Sequence, residues 1–135
     1  MNYLLDSNSV IDHLRLGIAS NVTGRIAAAA SGTVFLCSIV IGELLFGAKR
    51  GPLNRRAANL SLIANLQRRF VSLPFDDGAA DEYGEIRAHL AAAGALIGGN
   101  DMLIAAIAKV HAMTLVTHNT SEFSRIPGLL IEDWQ

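Results

Sequence analysis

Cysteine is almost absent. Cys37 stands alone, so no disulfide can close within the chain, and its apolar neighbours Phe35, Leu36 and Ile39 suit a buried, inert thiol better than a nucleophile. Long apolar runs are missing too: no stretch reaches the ~18 uninterrupted residues of a membrane span, and no basic segment precedes a hydrophobic leader, which predicts a soluble, cytoplasmic protein with no membrane contact. Charge of one sign is also lacking. Eleven Lys and Arg against 12 Asp and Glu leave a net charge of −1, so whole-molecule electrostatics gives no argument for nucleic acid. Only a local cluster does, Lys49, Arg50, Arg55 and Arg56 with Arg68 and Arg69 further on, and these fit a solvated helix surface as well as a phosphate track. There is no P-loop, no G-x-G-x-x-G after a strand and no Ser-His-Asp arrangement, and His13, His89, His111 and His118 form no i, i+4 pair for zinc.

What remains is material for one core. At 135 residues and 51% hydrophobic, the chain is expected to form one domain, 1–135, without repeat, low-complexity tract or linker. The apolar run from Tyr3 to Leu5 stops at Asp6 and becomes a helix that Ser7 or Asn8 can cap, with Val10, Ile11 and Leu14 inward. Ile18 to Ala30 reads as a helix ended by Gly32, and Thr33 to Ser38 as a strand buried on both faces. Two helices follow, Ser38 to Gly51 and Leu53 to Arg69, an excursion from the layers suited to a dimer contact. Phe70 to Leu73 is a third strand, Asp76 to Gly94 a helix closed by its glycine, and Asp101 to Ala112 a helix apolar enough to be internal. "MTLVT" is a buried strand, and "LLIEDW" an edge strand anchored by Trp134. Strands alternating with helices on short connections predict an α/β fold: a three-layer α/β/α sandwich around a central, mostly parallel sheet.

The acids carry the chemistry. Asp6 directly follows a central strand and so faces the groove beyond the carboxyl ends of the sheet, although a plain helix cap explains it equally well. Glu43 sits among Val40, Ile41, Leu44, Leu45 and Phe46, where an ionised carboxylate needs a partner or a cation, unless it rides the exposed stripe of its helix. Asp101 opens a very apolar helix after "IGGN", where it or Asn100 can cap, and Thr117, Asn119 and Glu122 follow another strand into the same groove. Three carboxylates sharing one groove repel one another unless they share a proton or a divalent cation, and all-oxygen donors select Mg²⁺ or Mn²⁺ over Zn²⁺. Such a site suits phosphodiester hydrolysis by metal-activated water, with Asp6 and Asp101 as direct ligands and Glu43 as a ligand through water or as a base.

These residues are similar to those of PIN-domain ribonucleases of the VapC toxin type. The likeness runs nearly full length through "YLLDSN", "SIVIGELLFGA", "YGEIRAHL", "IGGNDMLIAAIA" and "TLVTHNTSEFSRIPGLLIEDW". The resemblance implies a PIN-like fold and a Mg²⁺- or Mn²⁺-dependent endoribonuclease acting on structured RNA (tRNA or rRNA). It further implies a homodimer, a cognate VapB-type antitoxin, and DNA contact only through the antitoxin complex. By motif it makes Asp6, Glu43 and Asp101 the acidic core, with Glu122 or Asn119 in the fourth position. Ser7 stands where threonine is usual and keeps the hydroxyl, and His118 stands where asparagine is common. Asn8, Thr117 and Arg87 are candidates for substrate contact or site support, Arg87 either balancing the acids or meeting RNA, or else pairing with Glu85 or Glu82. Two alternatives remain. A haloacid-dehalogenase-like phosphatase also begins with an aspartate after its first strand but needs a second acid where this chain has Asn8, and a catalytically idle PIN fold would serve as a binding module.

Overall fold

A computed structural model describes residues 1–135. In chain order it comprises β1 (Tyr3–Leu5), α1 (Ser7–Leu16), α2 (Asn21–Ala28), β2 (Val34–Cys37), α3 (Ser38–Arg50), α4 (Leu53–Arg69), β3 (Ser72–Leu73), α5 (Asp77–Ala92), α6 (Gly99–Val110), β4 (Thr114–Val116), α7 (Thr120–Phe123) and β5 (Leu130–Glu132). The strands form one sheet in the order β3-β2-β1-β4-β5, and every pairing is parallel, so the sheet is wholly rather than mostly so. Tyr3 is in register with Val34 on one side and Thr114 on the other, which makes β1 the central strand. The right-handed crossover rule puts α1 to α4 on one face and α5 to α7 on the other. The packed pairs within each layer are α1 against α2 and α3, α3 against α4, and α5 along α6, and α3 also meets α6, which brings the helices of Glu43 and Asp101 together.

The inner strands of a sheet covered on both faces bury most of their side chains, while the edge strands β3 and β5 do not. Leu4, Leu5, Leu36, Leu115 and Val116 are all within 1% of complete burial. The apolarity of α6 has the same cause: Met102 and Ile104 to Ala108 lie inside the core. Cys37 is fully buried there, and burial pushes its thiol up to about 11, which makes it unreactive. Trp134 closes the β5 edge, its Nε1 donating to Glu132 at 2.8 Å and its ring 4.9 Å from Tyr3. No helix is long and apolar enough to cross a membrane.

Several boundaries differ from expectation for local reasons. The Ile18–Ala30 helix is instead a single 3-10 turn, Gly17–Ala19, followed by α2, because the buried Ser20 breaks the run, caps Thr23 N–H and donates to Asp12. Gly32, at φ +77°, makes the turn into β2 rather than the end of a helix, whereas Gly94, at φ +65°, does close α5. The third strand shrinks to two residues because Phe70 N–H still bonds Leu66 as the end of α4. Ile11, expected inward, is exposed on α1.

Candidate active site

Asp6 leaves β1 directly into α1, with no intervening loop. Its backbone is extended (φ −78°, ψ 173°), and Oδ1 accepts from Ser9 N–H at 2.9 Å, so Asp6 itself, not Ser7 or Asn8, caps the helix. Its own N–H donates to the Val116 carbonyl at 3.1 Å, and Ser9 Oγ donates to the same oxygen at 3.2 Å. These bonds fix the carboxylate at the junction of β1 and β4, buried to 5% exposure, while Oδ2 takes no hydrogen bond from the protein.

Asp101 lies in the first turn of α6, whose cap position is Gly98, so neither Asp101 nor Asn100 is the cap. A helix N-terminus favours an anion. The opposite is found here: burial first, then the charges of Asp6, Glu43 and Glu122, push the Asp101 carboxyl from 3.8 up to about 6. Four acids, Asp6 after β1, Glu43 in the middle of α3, Asp101 in the first turn of α6 and Glu122 in α7, therefore share one electrostatic neighbourhood at the carboxyl end of the sheet. Asp101 packs closely there, since a Cβ on Gly98 would stand 3.3 Å from its Oδ2.

No basic side chain neutralises this group. The three ion pairs of the molecule, Arg25–Glu132, Lys109–Glu82 and His118–Asp133, involve none of the four acids. The partner expected for Glu43 is thus not a cationic residue, and Glu43 is only half-buried, at the margin between the buried Val40 and Leu44 and the exposed Phe46. It borders a groove of about 560 Å³ between α1, α3 and α4, with Ser7, Arg15, Arg50 and Ile63. Ser7 Oγ is buried and has no hydrogen-bond partner.

The donor set fits a hard divalent cation in its chemistry: oxygens only, uncompensated negative charge, and an orphaned hydroxyl beside Asp6. It is not a closed cage. No three acidic, histidine or cysteine side chains stand together at metal-holding spacing, consistent with like charges that keep their distance. Mg²⁺ asks for less than a cage, since it keeps several waters and is commonly held by one or two carboxylates plus substrate phosphate.

The other candidates divide. Thr117 is fully buried beyond β4, and its Oγ1 accepts from Asn119 N–H at 3.0 Å. Asn119 faces a cleft with Asn8 and His118 that shares Asn8, Ile11 and Arg15 with the Glu43 groove, whereas Glu122 is the one whose charge reaches Asp101. Arg87 is exposed on α5 and donates to Tyr83 Oη at 2.7 Å; it pairs with neither Glu82 nor Glu85 and is not among the charges acting on Asp101. Four arginines of the basic cluster are engaged locally: Arg50 lies 5.2 Å over Phe46, Arg69 4.8 Å over Phe70, Arg56 donates to the Lys49 carbonyl and Arg68 to Asn65. Sequence reasoning passed over Arg15, although Asn8, Ile11, Asp12 and Arg15 recur at helical spacing and form the outer face of α1.

Comparison with known proteins bears on this arrangement. Residues 3–129 match the PIN domain family. The chain is 34% identical over 134 residues to Ribonuclease VapC2 of Rickettsia felis, covering 99% of this chain and 98% of that protein. It is 35% identical over 134 residues, with the same coverage, to the tRNA(fMet)-specific endonuclease VapC of Shigella flexneri. Its fold is similar to that in the crystal structure of DNA-bound VapBC from Salmonella typhimurium, with a TM-score of 0.92, 32% identity, and coverage of 100% of this chain and 99% of that one.

Proposed function

Because the chain belongs to the PIN-domain family, among its VapC-type ribonucleases, we propose that it is a divalent-metal-dependent endoribonuclease and the toxin of a toxin–antitoxin pair, hydrolysing structured RNA of the tRNA or rRNA class. The observation that carries this reading is an unpaired acidic group at the carboxyl end of the sheet: Asp6 is buried with Oδ2 taking no protein hydrogen bond, Glu43 and Glu122 act with it on the partly buried Asp101, and no basic residue pairs with any of the four.

In this reading residues 1–135 act as one nuclease domain in the cytoplasm. Asp6 and Asp101 would hold Mg²⁺ or Mn²⁺, with Glu43 and Glu122 completing the acidic wall. The bound cation would supply Lewis acidity and charge neutralisation for phosphodiester cleavage. Each residue has a distinct task. Asp6, held by Ser9 N–H, presents Oδ2 without losing its orientation. Asp101 is drawn back to its ionised form once positive charge enters the pocket. Glu43, half-exposed on a long side chain, has the reach to take a proton from an attacking water. Glu122 is the better fourth acid than Asn119, because its charge acts on Asp101. A VapB-type antitoxin is the proposed partner, with DNA contacted only through that complex. Homodimerisation is assigned to the α3–α4 excursion, where Leu53 is 79% exposed.

The test is to express the chain alone and with its antitoxin, map RNA 5′ ends with and without Mn²⁺, and repeat with Asp101→Asn. Cleavage that requires the metal and disappears in a folded Asp101→Asn protein supports the reading. Cleavage or toxicity that survives the substitution overturns it.

A further inference from the structure

The strand order reverses direction between β1 and β4: the chain steps from β1 through β2 to β3 one way and from β4 to β5 the other. Beyond the carboxyl ends of such a strand pair a crevice opens, the usual ligand site of parallel α/β sheets. Here it is a cleft of about 490 Å³, within the ~300–1,000 Å³ typical of small-ligand sites. Asn8, Asp12 and Arg15 come from α1 at i, i+4 and i+7; His118 and Asn119 come from the loop after β4, and Gln135 closes the end. Two of its eight lining residues are hydrophobic and none is aromatic apart from the imidazole, so recognition there runs through charge and hydrogen bonds rather than base stacking.

We infer that this cleft is a nucleotide subsite, holding one RNA nucleotide beside the phosphate offered to the acids, with Arg15 on the backbone and His118 and Asn119 on the base. The inference rests on the endoribonuclease reading and adds where, and by what, the substrate is gripped. Arg15 is exposed and forms no ion pair, although Asp12, which accepts from Ser20 Oγ, lines the same cleft. An unpaired guanidinium in a polar cleft suits a phosphate. His118 Nδ1 lies 2.9 Å from Asp133 Oδ2, which orients the ring and leaves Nε2 to meet a base edge. Asn119 uses its backbone N–H on Thr117, while its side chain makes no cap bond, so its amide keeps both donor and acceptor for a base. Asn8, Ile11 and Arg15 line both this cleft and the groove that Glu43 borders, so a nucleotide seated here adjoins the acidic group.

The test uses the full chain with Mn²⁺ on stem–loop RNAs with randomised loops, the cut ends read by sequencing, and compares wild type with Arg15→Gln, His118→Ala and Lys109→Gln, a control at the last turn of α6 whose cation pairs with Glu82. Arg15→Gln is expected to raise KM about tenfold at nearly unchanged kcat and to lower the salt dependence by about one phosphate contact. His118→Ala is expected to relax base preference about tenfold at one position next to the cut. Lys109→Gln changes neither. Unaltered KM, salt dependence and base preference in both cleft variants overturn the inference, as does a defect confined to antitoxin binding, which would make the cleft a protein interface. Asp101→Asn, assayed alongside, separates the two readings: survival of cleavage defeats the nuclease reading itself, whereas cleavage that dies with Asp101 yet ignores Arg15 and His118 defeats only the subsite.

Discussion

Asp6 and Asp76 are the same local device in two different places. Each has an extended backbone, ends a segment leaving the sheet, and accepts from the N–H three residues on, Ser9 at 2.9 Å and Ala79 at 3.0 Å. Asp6 follows the central strand, is 5% exposed and adds its charge to Asp101; Asp76 follows the edge strand β3 and stands in solvent. Capping chemistry is set by three or four residues and is identical at the two sites. The company each acid keeps is set by strand order, which brings β1, α3, α6 and α7 to one spot and brings nothing comparable to the β3 edge.

The sharpest way to break the comparison is to remove charge while keeping the cap, since asparagine caps about as well as aspartate. Asp6→Asn and Asp101→Asn are expected to lower RNA cleavage on the order of 10³-fold, the loss of several kcal/mol of electrostatic stabilisation, with unchanged circular dichroism. Asp76→Asn should cleave like wild type. Equal losses at Asp6 and Asp76 would mean that the first aspartate is only a cap.

Removing the cap should affect both sites, but unequally. Asp76→Ala is expected to cost about 1 kcal/mol in urea denaturation. Asp6→Ala loses the same cap bond but also relieves Asp101 of a like charge, so at pH 8 without metal its net cost should be the smaller one.

The acidity of Asp101 gives the comparison a pH axis. Its folded value of about 6 lies above the ordinary 3.8, so its contribution to stability is fully present below about pH 4 and is lost as pH rises through 6. Relative to Asp101→Asn, the metal-free wild type should therefore lose stability between pH 5 and pH 7, on the order of 1 kcal/mol once solvent screening at this half-buried site is allowed for. Mg²⁺ should restore it. A constant difference between the two proteins across that range would show that the acids do not interact.

The sequence carried the fold well because the fold depends on patterns that are local. Uninterrupted apolar triplets mark strands buried on both faces, and α4 spans Leu53–Arg69 as its spacing predicts. The candidate acids stand out in the sequence because Asp6 and Asp101 border apolar elements and Glu43 interrupts one, positions where a carboxylate has no packing role. What sequence does not encode locally is which way a half-buried side chain turns. The choice between Asn119 and Glu122 depends on three residues of α7 geometry, and Ile11 turns outward because it lies ~100° around α1 from the fully buried Val10, so only one of the two can face the core. Arg15 was overlooked because only the strand reversal between β1 and β4 makes the outer face of α1 one wall of a crevice.

The smallest expected effect comes from the glycines beside Asp76 and Asp101, the two acids most alike in having a glycine pressed against the carboxylate. A Cβ on Gly78 would meet Asp76 Oδ1 and Val110 Cγ2 at 3.5 Å, ordinary contact distance, whereas one on Gly98 would meet Asp101 Oδ2 at 3.3 Å. Gly78 lies in the first turn of α5, so Gly78→Ala should gain up to about 0.5 kcal/mol from helix propensity and leave cleavage alone. Gly98 has φ −55° and ψ 144°, which any residue adopts, so Gly98→Ala strains no backbone and acts only by moving the carboxylate a few tenths of an ångström. Because a displacement near 1 Å can cost ~10²-fold, a few-fold loss of cleavage with unchanged melting temperature is expected. If both alanine variants cleave like wild type, Asp101 has slack at its position, and the reaction tolerates a looser arrangement of the acids than their crowding implies.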